Sequence, residues 1–192
     1  GGGRQGLMAT KMTGVNLNYE KKDRLILDGS VRWNHSDGDA LVRTSSESFM
    51  SSTLSTFGNS LNGNRTRTNS WDARMRLEWT PDTMWNIMFR PSFRYNSNDG
   101  LSNGRSATFD SDPYAEAGIT DPLGQIDQLT SIARNYNRST NLSYSDSKSV
   151  GGNLQINRKL SDNGRNITLR LGANYSEGIS KSMSNSLIQY FK

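Results

Sequence analysis

Cysteine is absent and histidine occurs once, so the sequence offers neither a disulfide framework nor a thiolate or histidine-cluster metal site. Apolar residues are scarce as well: the hydrophobic fraction is 32% and the mean hydropathy is −0.75. No window approaches the roughly 20 consecutive apolar residues that a membrane-spanning helix requires. The sequence also lacks a nucleophile, a base and an orienting group that converge, so no enzymatic activity and no cofactor are expected. It opens Gly1-Gly2-Gly3-Arg4 without an initiator Met or a charged-then-apolar leader. The expectation is that the start was processed away or that the chain is an excerpt of a longer protein.

What the chain does contain is alternation. From Trp71 the odd positions are Trp71, Ala73, Met75, Leu77 and Trp79, and between them stand Asp72, Arg74, Arg76 and Glu78. After the turn residues Thr80 to Asn86, Ile87, Phe89, Pro91, Phe93 and Tyr95 alternate with Met88, Arg90, Ser92, Arg94 and Asn96. A strict period of two places successive side chains on opposite faces of a strand. The same pattern recurs on either side. Thr13, Val15, Leu17 and Tyr19 share a face before the polar turn Glu20 to Asp23, and Leu25 to Trp33 follow. Near the end, Val150 to Leu160 and Ile167 to Tyr175 flank a turn carrying Asn163-Gly164, a strong hairpin signal.

These runs predict an all-β fold, an antiparallel up-and-down meander of about six long strands near 11–20, 24–35, 68–79, 86–97, 148–160 and 166–177. Residues 1–8 read as a flexible connection, and Leu187 to Phe191 as the opening of a further strand. The polar stretches 36–67 and 97–138 read as long loops, into which the neighbouring strands can extend, for example through Ala40 to Ser48. Asp121-Pro122 is a start signal for a short helix carrying Ile126, Leu129 and Ile132 or Ala133, expected as a loop ornament. Asp110, Asp112 and Glu116 lack the glycine and spacing of a calcium loop, so no metal is expected there. The glycosylation-type triplets at Asn64, Asn137 and Asn174 are frequent by chance in so Asn- and Ser-rich a sequence.

Short turns alternating with long loops are the pattern of an outer-membrane barrel, with turns inside and loops outside the cell. About 11 residues at roughly 3.3 Å each, tilted near 40°, cover close to the 25 Å apolar band of such a barrel. Tyr19, Trp79 and Trp85 near the turns, and Trp33, Trp71, Tyr95 and Tyr175 near the loops, would sit at the two interfaces, with Phe89 and Phe93 toward lipid between them. An Arg at mid-depth on the lipid face costs about 2–4 kcal/mol, so a one-residue flip exposing Arg90 and Arg94 would cost about 4–8 kcal/mol. Asp28, Arg32, Asp72, Arg74, Arg76, Glu78, Arg90, Arg94 and Arg170 are therefore expected to face a wet or protein-filled lumen. Even the smallest such barrels have eight strands, so residues 1–192 are expected to be part of a transmembrane β-barrel, an open sheet when isolated. The alternative is a soluble or surface-attached β-rich protein that holds a polysaccharide with Trp and Tyr on a sheet face. The net charge of +5 is spread along alternating strands rather than clustered, and no nucleic-acid partner is expected.

The stretch Met12 to Tyr19, the run Arg76-Leu77-Glu78-Trp79-Thr80-Pro81-Asp82, the following Phe89-Arg90-Pro91, and Arg158-Lys159-Leu160 leading to Gly164-Arg165-Asn166-Ile167 resemble the barrel region of TonB-dependent receptor-like proteins of the Bacteroidetes. The resemblance covers most of the chain and rests on strand-and-turn patterns. It implies a Gram-negative outer membrane, a large barrel with an internal plug, and uptake of a bulky nutrient powered by a TonB-type complex. The outer loops would help capture that nutrient.

Overall fold

The computed structural model describes residues 2–22, 24–50 and 54–191. Six strands, β1 (Gly2–Lys21), β2 (Leu25–Phe49), β3 (Ser55–Trp79), β4 (Trp85–Phe109), β5 (Ala133–Lys159) and β6 (Asn166–Tyr190), form one antiparallel sheet. Their spatial order equals their chain order, so the sheet is an up-and-down meander, open between β1 and β6. The all-β meander expected from the alternation is therefore the architecture. Its strands are much longer than the apolar alternation.

The 36–67 and 97–138 stretches are mostly strand, not loop: β2 and β3 are joined through residues 50–54 alone, and β4 and β5 through 110–132. The start is corrected in the same way, since β1 begins at Gly2; Gly1 of the expected connection lies outside the described residues. Leu187 to Tyr190 are likewise the end of β6 rather than the opening of a further strand. The reason is that hydropathy alternation reports a difference between two faces. Where both faces are polar the difference vanishes, while backbone pairing continues from Asp37↔Arg67 through Arg43↔Leu61 to Phe49↔Ser55.

The turns at the other end are built as their sequences suggest. Asp82 accepts backbone N–H bonds from Met84 and Trp85 at 2.7 and 3.1 Å, an Asx turn that closes β3 onto β4. Gly164 sits at φ 83° in the β5–β6 turn, a left-handed conformation that glycine adopts without a Cβ penalty. Lys22 takes φ 44° in the β1–β2 turn; Asp23 lies outside the described residues. The turns are also stitched side by side, Thr80 N–H donating to the Arg24 carbonyl at 2.7 Å and Lys159 N–H to that of Met84 at 2.8 Å.

A sheet one layer thick buries little, and the buried apolar cluster lies where the long connection folds back. Ile119, Leu123 and Leu129 of the connection pack with Ala107, Phe109, Ala133 and Tyr136 of β4 and β5, and with Phe57 and Leu61 of β3. No full helix follows Asp121: the connection holds only two 3-10 turns, Pro113–Ala115 and Ile126–Gln128. Far from being an ornament, this segment supplies much of the buried apolar cluster. Gln125 organises it by accepting the N–H groups of Thr120 and Asp121 at 3.0 Å each and donating to the Gly118 carbonyl at 3.1 Å. Arg43–Asp121 and Arg134–Asp110 ion pairs tie it to the sheet.

Candidate functional site: two opposed faces of the sheet

Register turns the alternation of single strands into two continuous surfaces. On one face, Val15 pairs with Val31, Val31 with Ala73, Ala73 with Phe93, Phe93 with Val150 and Val150 with Tyr175. A second cross-strand row on that face is Tyr19, Leu27, Leu77, Phe89, Leu154 and Leu171, and a third runs Leu25, Trp79, Ile87, Ile156 and Leu169. The three rows between those of Leu25 and Trp33 carry no charged side chain, whereas Lys21 ends the Leu25 row on β1 and Lys148 and Glu177 end the Trp33 row on β5 and β6. Six strands about 4.8 Å apart and three uncharged side-chain rows about 6.8 Å apart give an apolar field of roughly 600 Å², extended by the apolar residues of the two bordering rows. The largest patch on a typical soluble monomer is about 300–600 Å². Many of these side chains stand about half exposed, Trp71 at 44% and Leu171 at 55% among them.

The field ends abruptly. Trp33 pairs with Trp71 and Trp71 with Tyr95, so three of the expected girdle aromatics stand in one row, with Lys148 beside Tyr95. Trp33 and Trp71 rings lie 6.1 Å apart, and Lys148 Nζ sits 5.9 Å from the centre of the Tyr95 ring. Tyr175 stands one row further in, opposite Val150. At the turn end, Tyr19 and Trp79 occupy neighbouring rows, and Arg158 stacks over the Trp85 ring at 4.7 Å. Phe89 and Phe93 lie between the two sets.

One row beyond Trp33 the same face becomes polar. The His35 ring stacks on Trp33 at 5.8 Å and its two nitrogens meet Asn69 Oδ1 and Asp37 Oδ2. Both partners are acceptors, so only the imidazolium, with two N–H donors, satisfies both. The His35 pKa is accordingly raised, first by Asn69 and then by Asp37, and that of Asp37 is lowered, chiefly by His35. Asp37 also pairs with Arg67 at 3.3 Å, and Asp39 with Arg65 at 3.2 Å. Further out, Leu41, Leu101, Leu142 and Met183 line two apolar hollows of about 800 and 660 Å³.

The opposite face carries the charges. Asp28 pairs with Arg76 at 2.7 Å, and Asp72 is shared between Arg74 at 3.4 Å and Arg94 at 3.5 Å. Glu78 accepts from Asn86 Nδ2 at 3.3 Å. A trough of about 840 Å³ gathers Asp28, Asp72, Arg74, Arg76, Arg90 and Arg94 with Asn16, Asn18 and Asn153. The structure thus brings together six of the nine charged residues expected on this face. Arg32 stands opposite Asp72, and Glu78 and Arg170 lie toward the turns, outside the trough. Among the described residues, no cluster of three or more acidic or histidine side chains is arranged to hold a metal ion.

Sequence alternation does not mark the buried Phe109–Leu129 cluster or the outer hollows, because their residues come from strand ends and a connection rather than from one periodic run. Compared with known proteins, the chain matches no family model and no curated protein.

Proposed function

We propose that the chain is a six-strand section of an outer-membrane β-barrel, of the kind that TonB-dependent receptor-like proteins of the Bacteroidetes build to import a bulky nutrient. The observation that carries this reading is the apolar field: three uncharged rows across six strands, bordered by rows that carry Trp33, Trp71, Tyr95 and Trp79, with the arginine cluster on the other face. Water is a poor solvent for such a field and lipid a good one, and a polar lumen suits the face holding Arg74, Arg76, Arg90 and Arg94. The two free edges, β1 and β6, support the presence of further strands in the whole protein, since unpaired backbone is not tolerated in hydrocarbon. Strands of 25 residues span about 80 Å, or about 60 Å along the barrel axis at a 40° tilt, so the sheet would project well beyond a 25 Å hydrocarbon band. The projecting wall and the 110–132 connection would then face the outside and the nutrient, while a plug fills the lumen and a TonB-type complex supplies energy.

Two measurements test it. The full-length protein should fractionate with membranes and show heat-modifiable gel migration; recovery as a folded soluble protein refutes the reading. Single cysteines at Leu77 and Arg76 should differ in labelling by a water-soluble thiol reagent that reaches the lumen, with only the Arg76 site modified. Equal labelling refutes the assignment of faces.

A further inference from the structure

We propose that Arg74, Arg76, Arg90 and Arg94 form an oxyanion site between β3 and β4, which takes a carboxylate or phosphate group from the trough. The inference rests on reading the charged face as a barrel lumen, and it adds the chemistry of what that lumen holds.

Register concentrates the cations. Arg74 pairs with Ser92 and Leu77 with Phe89, which sets Arg76 opposite Arg90 and leaves Arg74 diagonal to both Arg90 and Arg94. Directly opposed side chains on adjacent strands lie about 5 Å apart at Cβ, and like charges there are destabilising. The available carboxylates do not balance the group. Asp28 is taken by Arg76 and Asp72 is divided between Arg74 and Arg94, so four guanidinium groups face two carboxylates. Among the described residues, Arg90 has no carboxylate partner, and Arg76 Nε is shielded from solvent without a hydrogen-bond acceptor.

An anion seated between Arg76 and Arg90 removes both deficits. The guanidinium fork matches carboxylate and phosphate oxygens in a bidentate manner, and an opposed pair can grip one group from two sides. Asn153 stands beside Arg90 in the same row and supplies an amide donor for a remaining oxygen, while Asp28 on the other side holds Arg76 in place. A trough of about 840 Å³ lies within the range of small-molecule sites, so it accommodates a group larger than inorganic phosphate.

Two sources can provide such an oxyanion: a soluble polyanion in transit, or acidic side chains of the protein's own plug. The experiment uses the full-length protein in lipid nanodiscs, with phosphate and citrate as calorimetric probes and thermal unfolding as a second readout. Variants are Arg90→Gln, Arg90→Lys and the same-face control Arg170→Gln. Binding that weakens at least 10-fold in Arg90→Gln, less in Arg90→Lys and not in Arg170→Gln supports the site with a soluble ligand. Absence of probe binding together with a lowered melting temperature in Arg90→Gln alone supports it with an internal carboxylate. Binding indifferent to Arg90, or no binding with an unchanged or raised melting temperature in Arg90→Gln, overturns the site. Membrane fractionation of the same samples reports separately on the barrel reading.

Discussion

Replacing Met75 by arginine reads out the solvent of the apolar face, because the two readings of that face predict opposite outcomes. Met75 sits at the middle of the five rows that run from Leu25 to Trp33, opposite Gly29, where its Cγ lies 3.6 Å from the position a Cβ on Gly29 would take. The missing side chain on Gly29 leaves room for arginine without a clash, so the cost is one of solvation rather than of packing. In lipid at mid-depth that cost is about 2–4 kcal/mol, equivalent to about a 30- to 900-fold fall in the folding equilibrium. On a water-exposed sheet face the same change replaces a half-exposed methionine by a well-hydrated cation and is nearly neutral. Depth supplies an internal control: the penalty should shrink to about 0–1 kcal/mol for Trp71→Arg in the aromatic row, solvation alone considered, and vanish for Met183→Arg, which lies beyond it on the same face and is 67% exposed. The assay is reversible urea unfolding of the full-length protein in lipid vesicles, followed by tryptophan fluorescence. Equal midpoints for Met75→Arg and Met183→Arg would refute the reasoning.

The pH dependence of the His35 cluster follows from its raised pKa and the lowered pKa of Asp37. The His35 contribution should be complete below its unfolded pKa near 6.5 and lost as pH rises through the raised folded value; that of Asp37 should fail only under acid conditions. A histidine-ring NMR titration should therefore place His35 above 6.5, and Asn69→Ala should lower it. Removing Asp28 with Asp28→Asn leaves Arg76 opposed to Arg90 without its partner. Both side chains of the pair are more than a third exposed, so the expected loss is about 0.5–1 kcal/mol and should shrink in high salt, as judged by unfolding in 0.05 and 1 M NaCl. Leu129→Ala empties a fully buried site under the 110–132 connection, with an expected local cost of about 2–5 kcal/mol. Limited proteolysis should then cut this connection while the turn at residues 80–84 stays protected.

The faces and hairpins were legible because each strand meets two different environments within the apolar field. Trp71 to Trp79 and Ile87 to Tyr95 alternate between odd and even positions, and the turn residues are specific: Pro81 and Asp82 between these strands and Gly164 between β5 and β6. Outside the field, contrast fails before structure does. Thr44↔Ser60 and Asn103↔Thr140 are paired as regularly as Leu77↔Phe89, yet nothing in a Ser- and Asn-rich run distinguishes a two-sided polar strand from a loop. The Phe109 cluster was illegible for another reason. Its partners Ile119, Leu123 and Leu129 are spaced by turns with no period, and only the fold of the connection unites them. Within the charged face, residue type was visible but partnership was not: register, not spacing along one strand, sets Arg76 against Arg90.

The connection lengths carry a consequence for how the sheet assembles. Pairing of β2 with β3 can begin at Phe49↔Ser55 by closing only 5 residues (50–54), then zip to Leu25↔Trp79 one ladder step at a time. The β1–β2, β3–β4 and β5–β6 hairpins start equally cheaply from the opposite end. Only β4 and β5 must first bring together ends separated by 23 residues (110–132), which costs about 1.4 kcal/mol more in loop-closure entropy than a 5-residue link. The four-strand unit β1–β4 and the hairpin β5–β6 are thus expected to form as separate nuclei and to join last along the β4–β5 seam. Burial of Phe109 and Leu129 would then latch that slow step.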